Sequence, residues 1–195
     1  MRYLFLILLS TVCLAQRNEV AVSAVGNFNP TSTIWIQNTP HDVLSTNRSA
    51  MGGEVGYQRW VRDHIGVGFQ YEQNPSSGKL LWAGNTYEWP QMRYEFMAVS
   101  SQRVAGPKTA VSLKEGIGAI VTQGLCHCAG VLDSGWSHDF AFLYGFNVDQ
   151  FANHRVMWRF GLDIIEAKTG CYGDHTCRAT WAAVEDVNTG IVVRF

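Results

Sequence analysis

Two short segments hold the most reactive side chains of the chain: Cys126, His127 and Cys128 in "CHC", and Cys171, His175 and Cys177 in "CYGDHTC". That much thiolate and imidazole is enough for a tetrahedral zinc site. The spacing matches no standard zinc module, however, and once Cys13 of the N-terminal export signal is set aside the four remaining cysteines are an even count that points to disulfides. Cys126, Cys128, Cys171 and Cys177 are therefore disulfide candidates, and no metal is expected. Cys171 with Cys177 closes a short loop around Gly173, whereas Cys126 with Cys128 makes a tight ring. Pairing between the two segments stands as the alternative, because four cysteines allow three connectivities.

Ser134, Ser137, His138 and Asp139 bring together the residue types of a hydrolase. Adjacent residues on a strand point to opposite faces, which separates Ser137 from His138. No catalytic residue is assigned and no enzyme is expected. His64 and His154 fall in turn-like segments and read as solvated. No cofactor is implied. Charge is sparse and balanced, with 15 Lys and Arg against 16 Asp and Glu. Nothing there offers nucleic acid a basic surface.

The elements that carry these groups have a period of two. In "HRVMWRFGLDIIE", Val156, Trp158, Phe160, Leu162 and Ile164 share one face, and Arg155, Met157, Arg159, Gly161, Asp163 and Ile165 share the other. In "DFAFLYGFNVDQ", Phe140, Phe142, Tyr144, Phe146 and Val148 oppose Ala141, Leu143, Gly145, Asn147 and Asp149. "IGVGFQYE" and "QMRYEFMA" repeat the pattern. These are strands with one apolar face. Each apolar face runs unbroken over about nine to eleven residues, the length a tilted strand needs to cross hydrocarbon. The opposite faces collect Gly and charge.

Eight strands follow, at about 19–28, 50–61, 65–73, 89–102, 109–121, 138–149, 154–166 and 182–195. Short connections at 62–64, 103–108 and 150–153 alternate with long ones at 29–49, 74–88, 122–137 and 167–181, as in outer-membrane barrels. An even number of strands closed on itself leaves no edge unpaired in lipid. Ahead of them, "MRYLFLILLSTVCLA" has Arg2, a short apolar core and small residues, the pattern of a cleaved signal peptide over residues 1–15. The barrel domain is then 16–195. Its interior is expected to enclose Glu54, Arg93, Glu95, Lys114, Asp149, Arg155, Arg159 and Asp163 as a paired plug, because eight strands leave room only for side chains. Glu115 falls among outward residues, which calls either for a bulge near Gly116 that returns it to the lumen or for a place at headgroup level. Tyr71, Trp89, Trp136 and Trp181 at one end, and Tyr57, Trp60 and Phe195 at the other, suit interfacial aromatic girdles.

The chain closes on "NTGIVVRF", with Val187, Ile191, Val193 and Phe195 outward and Asp186, Asn188, Gly190 and Arg194 inward. A last strand ending on an aromatic resembles the β-signal read by the assembly machinery of bacterial outer-membrane proteins. The whole layout resembles the small eight-stranded barrels of the OmpA transmembrane-domain and OmpX type. That resemblance implies an all-β, eight-stranded antiparallel up-and-down transmembrane β-barrel in the bacterial outer membrane. It also implies a monomer partnered by outer-membrane lipid and the assembly machinery, with Phe195 as the C-terminal assembly signal. Barrels of this kind are functionally mixed. The expected role is structural or surface interaction with an unidentified extracellular ligand, through loops facing the exterior. A lipid-modifying hydrolase and a small-solute or ion channel are the alternatives.

Overall fold

The computed structural model describes residues 17–28, 32–35, 42–45, 51–82, 85–124, 135–169 and 180–195. Ten strands follow in chain order: β1 (Arg17–Phe28), β2 (Ser32–Trp35), β3 (Asp42–Ser45), β4 (Met51–Arg62), β5 (Ile65–Trp82), β6 (Asn85–Ala105), β7 (Thr109–Gly124), β8 (Gly135–Phe151), β9 (Val156–Thr169) and β10 (Thr180–Arg194). Eight of them close into an antiparallel barrel in the order β1-β10-β9-β8-β7-β6-β5-β4, while β2 and β3 pair in a small sheet of their own. Because β1 pairs with both β10 and β4, the ring has no free edge.

Three tight connections, at 63–64, 106–108 and 152–155, lie at the same end as the start of β1 and the end of β10. Their local chemistry explains their shortness. The Asn153 side-chain oxygen accepts from the amides of Arg155 at 2.8 Å and Val156 at 2.9 Å, an Asx turn that reverses the chain at little cost. Main-chain bonds from Arg103 to His64, Phe151 to Lys108 and Arg194 to Arg155 tie each turn to its neighbour.

The distribution of side chains is inverted relative to a protein dissolved in water. Among the described residues, nineteen buried side chains are polar or charged against thirteen apolar ones. Large apolar residues face outward instead: Leu113 is 64% exposed, Ile117 55%, Phe160 56% and Phe69 55%. A continuous apolar skin of this kind far exceeds the patches of soluble monomers. It matches a wall solvated by lipid, where only a closed ring leaves every backbone group satisfied. Not all of the interior is polar. Met97, Val99, Ile120, Ala141, Leu143, Ile165 and Ala167 pack together on the β6–β9 side, so the charged network occupies the rest of the lumen.

Strand enters all four expected loops, at the margins of 122–137 and 167–181 and more extensively in the other two. Residues 74–88 form mostly a ribbon, with β5 and β6 paired as far as Trp82↔Asn85. Turn-forming composition gives way here to cross-strand pairing. Pro75 lies beyond the last β4–β5 pair, Gly53↔Gln73, and Pro90 lies just beyond the β6–β7 pair Gln91↔Gly124. At such edges a missing N–H breaks no ladder bond. The second loop, 29–49, holds β2 and β3.

Candidate functional site

The lumen gathers the charged chemistry of the chain. At the turn end, Arg103 of β6 forms a two-pronged pair with Glu19 of β1, both contacts at 2.7 Å, and reaches Asp149 of β8 at 3.0 Å. Its Nε donates to Ser112 of β7, and its guanidinium lies 3.8 Å from the ring centre of Trp60 on β4. Arg159 of β9 grips both oxygens of Asp149 at 2.7 and 3.0 Å, and Arg194 of β10 donates to Glu19 at 2.9 Å. Seven strands therefore meet in one network. Bidentate, charge-assisted bonds are the strong kind, and their geometry fixes the strands against one another.

Farther from the turns, Lys114 donates to Asp163 at 2.7 Å and to Gln70 at 3.2 Å. Asn188 and Gln70 also donate to Asp163. Gly145 makes room for this carboxylate, because a Cβ there would collide with Asp163 Oδ1. Beyond lies an acidic group. Arg93 stands 2.7 Å from Glu95, 3.3 Å from Asp186 and 3.7 Å from Glu72. Asn27 donates to Asp186 and Asn74 to Glu72. Glu54 is buried as well, and its Oε2 accepts no hydrogen bond. Between the two networks is a cavity of about 20 Å³ lined by Glu19, Glu54, Gln58, Gln70, Lys114 and Arg159, space for about one water.

Of the expected interior charges, Glu54, Arg93, Glu95, Lys114, Asp149, Arg159 and Asp163 are buried in the lumen. Arg155 is not. It sits exposed in the 152–155 turn, because β9 begins only at Val156 and strand alternation does not reach it. Asp186 and Arg194, expected to point inward on the last strand, join the network, as do Glu19, Glu72 and Arg103, which sequence alone did not single out. Arg103 lies in a segment expected to be a turn, although its alternation with Ser101 was a usable signal. Trp60 faces the lumen rather than a lipid girdle, since it shares the inward parity of Glu54 and Gln58. Glu115 is exposed on the wall. The β6–β7 and β7–β8 registers run straight through Ser100↔Glu115 and Glu115↔Tyr144, so no bulge turns it inward.

Cys126, Cys128, Cys171 and Cys177 lie outside the described residues, as does Ser134. His138 is exposed on the outer face and Asp139 takes the opposite parity on β8. The strand therefore holds these two apart. Phe195 is exposed, while its backbone pairs with Asn18 at 2.9 and 3.0 Å.

No family model matches the chain, and no curated protein matches it in sequence. Solved structures do match in shape. A major outer-membrane protein from Thermus thermophilus aligns with a TM-score of 0.59 and 10% identity, over 91% of this chain and 99% of the other. Neisserial surface protein A aligns at 0.58 and 7% identity, over 93% and 97%. Ail, the attachment invasion locus protein of Yersinia pestis, solved with the heparin analogue sucrose octasulfate, aligns at 0.56 and 10% identity, over 93% and 100%. Similarity at such low identity speaks for the fold. With its closed ring, apolar skin and charged lumen, the chain has the fold of the small eight-stranded outer-membrane β-barrels.

Proposed function

We propose that the protein is a non-catalytic, monomeric barrel of the bacterial outer membrane, serving as a rigid anchor for interactions at its loop end and carrying no steady ion current. The observation that supports this most is the network of Glu19, Arg103, Asp149, Arg159 and Arg194, which crosses the lumen at the turn end. An eight-stranded ring is only wide enough for its side chains to fill. Here they leave a cavity of about 20 Å³ beside this network, far less than an aqueous channel needs. Outer-membrane lipid would solvate the wall, and the assembly machinery would read the aromatic end. The complex of Ail with a heparin analogue supports an interaction role for barrels of this build, with loops carried on a rigid scaffold.

Planar-bilayer recording of the purified protein tests the reading. No stable conductance is expected, and a reproducible open level would overturn the closed lumen and favour the channel. Lipid A mass spectra from cells with and without the protein test the non-catalytic part. Identical spectra are expected, and a protein-dependent loss of an acyl chain would restore the hydrolase.

A further inference from the structure

The tight-turn end of the barrel holds another cavity, of about 940 Å³. The start of β1, the end of β10 and the turns after β6 and β8 enclose it, and Arg17, Lys108, His154 and Arg194 line it. Its size lies within the range of small-molecule sites. No carboxylate lines it among the described residues. Arg17 and Lys108 are exposed and make no ion pair among those residues. Arg194 reaches Glu19 at 2.8 Å, but Arg103 already holds both oxygens of that carboxylate. One carboxylate thus serves two guanidiniums.

The side-chain amides of the lining are committed to donation as well. The Asn153 oxygen is taken up by the amides of Arg155 and Val156, and the Gln150 oxygen by the Thr109 hydroxyl at 3.1 Å. Each is left with its NH2, a donor. A concave site of cations and donors without an acidic side chain selects an anion. Forked guanidiniums suit the several oxygens of a phosphoryl group. Thr109 and Gln150 continue the outward parity of Val111 and Val148 on β7 and β8. Through Gln150 the cavity therefore reaches the edge of the apolar wall. Phe151 lines it too, with its ring centre 5.4 Å from the Arg194 guanidinium.

We propose that this cavity binds the phosphate group of an anionic phospholipid of the inner leaflet. Arg17, Lys108 and Arg194 are its cationic partners, and the NH2 groups of Gln150 and Asn153 are further donors. Short turns of outer-membrane barrels face the periplasm, so the opening lies at headgroup level and the acyl chains run along the wall beside Val111 and Val148. A soluble phosphate would use the same donors but not the wall. Arg59, Arg62 and Arg155 are exposed at the same end without lining the cavity, and an anionic surface attracts such residues only diffusely. The site is separate from the loop-end role and rests on the membrane placement alone, which refolding into micelles checks independently.

The test uses the full mature chain refolded in dodecyl maltoside, a detergent without phosphate, with the folded form verified by its heat-induced gel-mobility shift. Titration with dihexanoylphosphatidylglycerol at constant ionic strength is expected to move the amide NMR signals of Lys108 and of residues 150–154, saturating at one lipid per barrel. Inorganic phosphate and dihexanoylphosphatidylcholine should each bind at least about tenfold more weakly. Arg17→Gln/Lys108→Gln should weaken the anionic lipid by about tenfold or more. Arg59→Gln/Arg62→Gln, which removes the same charge outside the cavity, should change it by less than about twofold. Lys108→Gln alone gives the reading should the first double variant not refold. Inorganic phosphate binding as tightly as the lipid would overturn the lipid in favour of a soluble phosphate. Equal losses in the two double variants would overturn the cavity in favour of diffuse attraction, and the absence of any saturable shift would overturn the site.

Discussion

Asn18 and Phe195 hold each other through two main-chain hydrogen bonds, the Asn18 amide donating to the Phe195 carbonyl at 3.0 Å and the Phe195 amide donating back at 2.9 Å. The last residue of the chain thus completes the seam between β1 and β10, while its ring is 66% exposed on the outer face. The backbone closes the ring of strands, while the side chain stays exposed on the outer face.

Deleting Phe195 should therefore lower the amount of protein in the outer membrane much more than the stability of barrels already folded. The seam keeps its register from Glu19↔Arg194 to Phe28↔Glu185, and losing two terminal bonds costs about 1–3 kcal/mol. Quantifying membrane-inserted protein beside urea unfolding of refolded protein separates the two effects. Normal insertion of the truncated chain would remove Phe195 as an assembly signal.

Arg103→Ala should destabilise the folded barrel by about 3–5 kcal/mol, because it strands buried Glu19 without its two-pronged partner. Arg155→Ala, in the exposed turn, should change stability by no more than about 0.5 kcal/mol. Unfolding titrations in lipid vesicles compare the two. Equal effects would mean that the lumen network does not hold the strands together.

Phe142→Arg and Phe160→Arg should each cost about 2–4 kcal/mol if their sites lie near the bilayer midplane. The outward carboxylate Glu115 gives the opposite sign. Glu115→Leu should stabilise the barrel by roughly 1 kcal/mol, since an acid on the lipid face costs less than Arg or Lys. The measurement is unfolding free energy in vesicles. A loss on Glu115→Leu would reveal a polar partner on the wall.

Cys126, Cys128, Cys171 and Cys177 should be oxidised in the mature protein. Mass spectrometry of non-reduced peptides from purified outer membranes, with a zinc assay alongside, checks this. Reduction should leave the barrel's gel-mobility shift intact, because the main-chain ladders of the wall do not include these residues. Free thiols with bound zinc would replace the disulfides by a metal site.

The period-two pattern by itself determined the strand type, the outward faces and the antiparallel meander. Lipid demands an uninterrupted apolar face, and that demand is written locally, residue by residue, as at Val156, Trp158 and Phe160. The inward parity of Asp163, Arg159 and Glu95 was legible for the same reason. Strand ends were not, because Pro75 and Gly78 have turn chemistry yet lie in a ribbon held by pairing with β6. Which charges meet was likewise decided only by closure of the ring. Glu19 and Arg103 are 84 residues apart, and nothing local to either names the other. Their bond exists because β1 and β6 face each other across a lumen too narrow to keep their side chains apart. The gathering of Glu72, Glu95 and Asp186 has the same origin: alternation turned each inward, and barrel register set them around Arg93.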